Sequence, residues 1–220
     1  MLDLAGTAFT SEPLLEALSL HCSQLREIRV ARMTNQTLTV LLTRLPQLQT
    51  LCVVGKNNSL SLQGVYNVKP LPSALKYLIV NHASNIDGLS VVFGRQLIYL
   101  DLSYCNIHIT ALDNILQRCQ QLQFLSIRGC KSLGIQLLAA FRSCGPQLKY
   151  LDISETHMLE HSIQFAPTLP ITTLIMQNSV WLSSSSFALL LAACPLVTDI
   201  DFSGSARLDD AGIGKDDWIV

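Results

Sequence analysis

The chain has 220 residues, enough for one domain or a short array of repeated units. Hydrophobic residues make up 49% of it and charged residues 14%, a composition that excludes the highly charged kind of disorder. The formal net charge is −1, so electrostatics favour neither a nucleic acid nor a membrane surface as partner. Residues 1–10 lack the basic segment of a signal peptide, and the densest apolar run, residues 187–197, is about half a membrane span.

The cysteine content indicates a reducing compartment. Seven cysteines form an odd-numbered set without a CxxC pair, whereas secreted disulfide scaffolds usually have even, clustered cysteines. We therefore expect reduced thiols and a cytoplasmic or nuclear location.

A short pattern returns nine times along the chain. Leu97–Cys105 and Leu122–Cys130 both read LxxLxLxxC, and Leu148–Thr156 differs only at its last place. We take the middle leucine of each copy as its marker. The markers are Leu2, Ile28, Leu51, Leu78, Leu100, Leu125, Leu151, Leu174 and Ile200. They are 22 to 27 residues apart, inside the range of about 20–29 that is typical of leucine-rich repeats.

Each copy predicts a strand followed by a helix. Alternate side chains of a strand point to opposite faces, so the leucines enter a core while their neighbours line an open face. One-sided helical patterns follow in residues 14–22, 137–144 and 187–194. Residues 56–75 contain Pro70 and Pro72 and predict an irregular loop instead.

The residue five places after the marker lies where the chain turns inward. A small side chain that can hydrogen-bond loop amides suits this place. Six copies follow the rule, with Thr7, Cys105, Cys130, Thr156, Ser179 and Ser205, whereas Met33, Lys56 and Ala83 depart from it.

With these cysteines, the chain resembles the cysteine-containing class of leucine-rich repeat found in F-box/leucine-rich-repeat proteins and antagonist-of-mitotic-exit proteins. The consensus of that class continues ITDxGLxxLAxxC, and residues 208–213, LDDAGI, are its closest copy here. The resemblance implies an α/β leucine-rich-repeat solenoid, or horseshoe, with a parallel sheet on the concave face and helices on the convex face. It also implies substrate recognition for a cullin-type ubiquitin ligase.

We expect a single domain over residues 1–220 with about nine repeats. Residues 1–7 already read as a strand, and residues 215–220 stop midway through a helix. Terminal repeats normally carry a polar cap, and neither end shows one. The expectation is that both ends are uncapped and support self-association.

Three features could carry chemistry, and the first two have a plainer interpretation. His157–His161 matches the HxxEH zinc-protease motif but falls in a short repeat without room for a long helix. Ser183–Ser186 could be a phosphorylation cluster, although serines also cap the helix that begins there. Cys52 follows its marker directly and is expected on the open face as the most reactive thiol, with the other six buried. We expect no enzyme activity, no metal and no cofactor.

The open face is the candidate binding surface. One residue before the marker, four consecutive repeats carry an aromatic ring: Tyr77, Tyr99, Phe124 and Tyr150. One residue after the marker, acids recur, among them Asp101 and Asp152. With Arg128 close by, these residues form the predicted partner-binding set, since aromatics with a charged rim are typical of binding hot spots. The plainer alternative is that the rings only pack on one another.

The preferred function is a protein–protein interaction module that binds a partner with basic groups through the concave face. The alternative is a structural or assembly subunit of a larger complex without a role in ubiquitin transfer.

Overall fold

The structure is a computed structural model that describes residues 1–5, 12–31, 33–54, 74–84, 86, 88, 95–133, 137–157 and 168–205. Several predictions fall wholly or mostly outside these ranges: the loop at 56–75 except its last two residues, the consensus copy at 208–213, and most of the HxxEH segment.

Nine short strands form one parallel sheet in chain order. They are β1 (Leu2–Leu4), β2 (Glu27–Val30), β3 (Thr50–Val53), β4 (Tyr77–Val80), β5 (Tyr99–Asp101), β6 (Phe124–Ser126), β7 (Tyr150–Asp152), β8 (Thr173–Ile175) and β9 (Asp199–Asp201). Every marker pairs with the marker of the next repeat, from Leu2 with Ile28 to Leu174 with Ile200. The predicted register is confirmed in all nine strands.

Three of the described helices begin at polar caps. They are α1 (Glu12–His21), α2 (Asn35–Arg44), α3 (Ile109–Arg118), α4 (Leu137–Ala140) and α5 (Ser184–Ala193), and a single 3₁₀ turn, Phe141–Ser143, follows α4. Thr34, His108 and Ser183 accept hydrogen bonds from backbone amides of the first turns of α2, α3 and α5. Ser183 therefore has the capping role that its position suggested, and Ser184 and Ser186 are buried.

One continuous core lies between the sheet and the helices. The marker and the residue two places after it point into this core in most repeats, as Leu100 and Leu102 do. One face of α3, including Leu112 and Ile115, belongs to the same cluster. The chain is thus an α/β leucine-rich-repeat solenoid, with the parallel sheet on the inner, concave face and the helices on the convex face. Among the described helices, none has the length and apolar character needed to cross a bilayer.

Neighbouring repeats are linked through the residue five places after the marker. Cys105 Sγ donates to the carbonyl of Val80 at 3.0 Å and accepts from the amide of Ala83 at 3.4 Å. Cys130 Sγ donates to the carbonyl of Leu102 at 3.1 Å, and Ser205 Oγ to that of Met176 at 3.0 Å. The prediction of a small hydrogen-bonding group at this place is confirmed for these residues.

The residue four places after the marker adopts a left-handed backbone conformation in repeats four to nine. The residues are His82, Tyr104, Gly129, Glu155, Asn178 and Gly204, with φ between 51° and 72°. The sequence pattern did not predict this. Glycine and asparagine tolerate the conformation, whereas His82, Tyr104 and Glu155 hold it at some cost in strain.

Two predictions about the thiols are wrong. Cys52 lies on the open face but is only 6% exposed, because its short side chain stands between Arg29 and Ile79 of the adjacent strands. Cys22 is exposed, since the first repeat has a neighbour on one side only in this structure. Cys144 is partly buried, and the other four are buried as expected.

Candidate functional site

Four aromatic side chains from consecutive repeats form a ladder on the open face of the sheet. The rings of Tyr99 and Phe124 are stacked with centroids 3.9 Å apart, and those of Phe124 and Tyr150 with centroids 4.2 Å apart. Tyr77 continues the row at 6.2 Å from Tyr99, tilted by 39°. We call Tyr77, Tyr99, Phe124 and Tyr150 the aromatic ladder. The parallel register produces it, because the strands pair these four residues directly with one another.

Stacking determines which parts of the rings a partner can reach. Both faces of Phe124 are covered by its neighbours, so its edge is what remains for contact. Tyr77 is tilted and 41% exposed, so it offers the most surface. The rings therefore do pack on one another, as the plainer alternative held. The ladder also presents exposed aromatic surface, most of it at Tyr77.

The hydroxyls of Tyr99 and Tyr150 stay protonated. Burial, with the negative charge of Asp101 nearby, raises the pKa of Tyr99 to about 12. Burial and Asp152 raise the pKa of Tyr150 in the same direction. Both hydroxyls are therefore neutral hydrogen-bond donors at physiological pH.

The acids beside the ladder bind their own backbone. In four repeats the aspartate one place after the marker accepts the amide hydrogen of the residue two places further on, at 2.9 Å. The pairs are Asp3 with Ala5, Asp101 with Ser103, Asp152 with Ser154, and Asp201 with Ser203. We call these four aspartates the acidic column. Each carboxylate thus closes the turn at the end of its strand.

The members of the acidic column differ in exposure. Asp101 is partly exposed and also accepts from the Ser103 hydroxyl. Asp152 is only 8% exposed, so little of its carboxylate can meet a partner. The predicted contact role therefore rests on Asp101 more than on Asp152.

Arg128 is the centre of a polar network at the strand ends. Its guanidinium donates to Glu155 at 2.6 Å, to the Tyr104 hydroxyl at 3.1 Å and to Gln177 Oε1 at 2.9 Å. The network joins repeats five to eight, and Gln177 extends it to Asp201 in repeat nine. Hydrogen bonds from Arg128 hold the pKa of Glu155 below its usual value. Arg128 was predicted to bind a partner, and in this structure its donors are used within the chain.

Tyr104 and Glu155 are members of this network that the sequence analysis missed. Tyr104 is 38% exposed and stacks on His82 with centroids 4.8 Å apart. Its ring also covers Gly129, where an added Cβ would lie 2.4 Å from the ring. A glycine four places after the marker, next to a repeat with a large side chain there, is the signal that could have shown this contact.

No cluster of three potential metal ligands occurs within the described ranges. His157, the first residue of the HxxEH segment, is exposed, and the other four residues lie outside those ranges.

No family model matches the chain, and no curated protein matches its sequence. Solved structures do match. A chain of the yeast Rad7–Elc1 complex is 14% identical with a TM-score of 0.45, over 92% of this chain and 75% of that one. An internalin, inlF of Listeria monocytogenes, is 16% identical with a TM-score of 0.51, over 86% of this chain and 57% of that one. At such low identity the likeness to the internalin concerns the fold alone. Together with the nine-stranded register, it identifies the architecture as a leucine-rich-repeat solenoid.

Proposed function

We propose that the chain is a protein-recognition module that holds its partner on the concave face, with the aromatic ladder as the main contact. The observation that carries the proposal is a continuous row of four rings across four strands, with Tyr77 41% exposed at one end. Aromatic residues are enriched in binding hot spots because they bury a large area with few rotatable bonds.

The surroundings of the ladder favour a partner with basic groups. Asp101 and Asp152 lie two residues after Tyr99 and Tyr150, and Asp3 and Asp201 occupy the equivalent position on β1 and β9. Glu27 and Asp199 add exposed acids at the ladder position of β2 and β9, one residue before the marker. Charge complementarity of this kind raises association rates and selects against acidic partners. Binding should therefore weaken as salt concentration rises.

Affinity purification with mass spectrometry tests the proposal. The bait is the wild-type chain, compared with the variant Tyr99→Ala, Phe124→Ala and with Leu189→Ala. Leu189 is 41% exposed on α5, on the opposite side of the sheet, and so provides a control for loss of an exposed apolar side chain. The same proteins should be captured by the wild type and by Leu189→Ala and lost with the ladder variant. Capture that survives in the ladder variant would contradict the proposal.

A more specific form of the proposal is substrate selection for a cullin-type ubiquitin ligase. It is supported by the resemblance of the LxxLxLxxC repeats to those of F-box/leucine-rich-repeat proteins. Ligase subunits should then appear with the full-length protein in the purification. The rival function is an assembly subunit of a larger complex, in which self-association or contacts at the ends of the solenoid matter more than the ladder. Co-purification at fixed stoichiometry without ligase subunits would favour the rival.

A further inference from the structure

A second charged surface lies at the edge of the sheet where the helices end and the strands begin. A groove of about 680 Å³ is bounded by the end of α3 and the residues that precede β4, β5 and β6. It is lined by Lys76, Arg95, Arg118, Ile98 and the glutamines 96, 117, 120, 121 and 123. We call it the basic groove.

The basic groove carries cations without acids among its lining residues. Lys76, Arg95 and Arg118 are all exposed, and none of the nine lining residues is an aspartate or glutamate. Lys76 and Arg95 make no ion pair with any carboxylate in the described part of the chain. Positive charge is therefore concentrated here.

The charge extends along the same edge. Arg26, Arg44, Arg142 and Lys149 are exposed in the equivalent segments of other repeats. The described ranges contain ten lysines and arginines, at positions 26, 29, 44, 76, 95, 118, 128, 131, 142 and 149, and seven of them lie on this edge. The protein thus has an acidic open face and a basic edge, although its formal net charge is only −1.

The position of some of these cations is explained by the ends of helices, and that of Lys76 and Arg95 is not. Arg44, Arg118 and Arg142 lie in last helical turns, where a cation is stabilised by the negative end of the helix dipole. Lys76 and Arg95 belong to no described helix, so this explanation does not apply to them.

The glutamines give the groove a fixed wall and further hydrogen-bonding groups. Gln120 Nε2 donates to the carbonyls of Leu116 at 2.8 Å and Ser143 at 3.0 Å, which holds its side chain against two repeats. Gln96, Gln121 and Gln123 are exposed, and each amide can both donate to and accept from a peptide backbone.

We propose that the basic groove binds an acidic segment of a partner protein in extended conformation. The starts of β4 to β6 span about 10 Å at the usual strand spacing, which corresponds to about three residues of extended chain. The cations would pair with its carboxylates, and the exposed glutamines with its backbone. A polypeptide fits better than a single-stranded nucleic acid, because none of the nine lining residues that the structure describes is an aromatic residue that could stack on bases.

Fluorescence anisotropy with a labelled peptide of ten glutamates tests this proposal. Wild-type protein should bind the peptide, and Lys76→Glu with Arg95→Glu should weaken binding by about tenfold or more at low salt. The matched control is Arg29→Glu with Lys131→Glu, which changes the net charge equally at exposed positions outside the groove. The control should retain most of the affinity, and circular dichroism should show both variants folded.

Three results would overturn the proposal: no binding of the peptide by wild-type protein at low salt, an equal loss in the control, or tighter binding of a ten-nucleotide polyuridine than of the peptide. The outcome is separable from that of the concave face. The variant Tyr99→Ala, Phe124→Ala should bind the glutamate peptide as wild-type protein does.

Discussion

The aromatic ladder and the acidic column lie side by side on the same open face, yet their side chains are engaged in different ways. Each aspartate of the column accepts an amide hydrogen two residues along its own chain. The rings instead contact rings from neighbouring repeats and leave their edges exposed. A position on the open face therefore does not by itself make a side chain available to a partner. Availability depends on which of its groups the chain already uses.

The largest effect on stability is expected within the ladder. Phe124→Ala removes a half-buried ring stacked on two neighbours, and each such pair contributes about 0.5–1.5 kcal/mol beyond burial. We expect a loss of about 2–3 kcal/mol in the free energy of unfolding, measured by urea denaturation. Tyr77→Ala, at the tilted end, should cost less than about 1 kcal/mol. Equal losses for the two variants would show that stacking does not distinguish the positions.

A smaller effect is expected in the acidic column. Asp152→Ala leaves the amide of the buried Ser154 without its acceptor, which should cost about 1–2 kcal/mol. Asp152→Asn retains an acceptor oxygen and should recover most of the loss. If Asp152→Ala unfolds at the wild-type urea concentration, the carboxylate is not needed for the turn, and its main role lies elsewhere.

Acid should weaken the polar network at the strand ends. Hydrogen bonds lower the pKa of Glu155 and of Asp201. A carboxyl group with a lowered pKa in the folded state stabilises the fold above its unfolded pKa, near 4, and this contribution is lost as pH falls through the folded value. The melting temperature should therefore fall below about pH 4. Glu155→Gln should make that fall shallower, and an unchanged pH profile would argue against the Arg128–Glu155 pair as its source.

The last prediction concerns the rates at which the cysteine thiols react, which do not involve a change in stability. Cys22 is exposed and should be alkylated first. Burial raises the pKa of Cys52, and raises that of Cys105 and Cys119 to about 12, so these thiols should react slowly. Timed alkylation with peptide mapping gives the order. Labelling of Cys52 before Cys22 would contradict this order and support the expectation from the sequence that Cys52 is the most reactive thiol.

The repeat pattern predicted the register of all nine strands, because leucines at fixed spacing must enter one core. It also placed the four rings of the ladder in one row, since parallel pairing aligns equivalent positions. It could not predict exposure, which depends on neighbours in other repeats: Arg29 and Ile79 cover Cys52. Nor could it predict that Arg128 donates hydrogen bonds to Glu155, Tyr104 and Gln177, because these contacts connect residues 24 to 49 positions apart.

The measurement that bears most directly on the account is isothermal titration of the captured partner with wild-type protein and with the variant Tyr99→Ala, Phe124→Ala. If the ladder is the main contact, affinity should fall by about thirtyfold or more, as is usual for truncated hot spots. Because the variant also loses stacking, Tyr99→Leu, Phe124→Leu is measured beside it to keep apolar bulk, with a melting curve for each. Both variants should remain folded and bind weakly. Wild-type affinity in a folded variant would contradict the account and move the binding site away from the aromatic ladder.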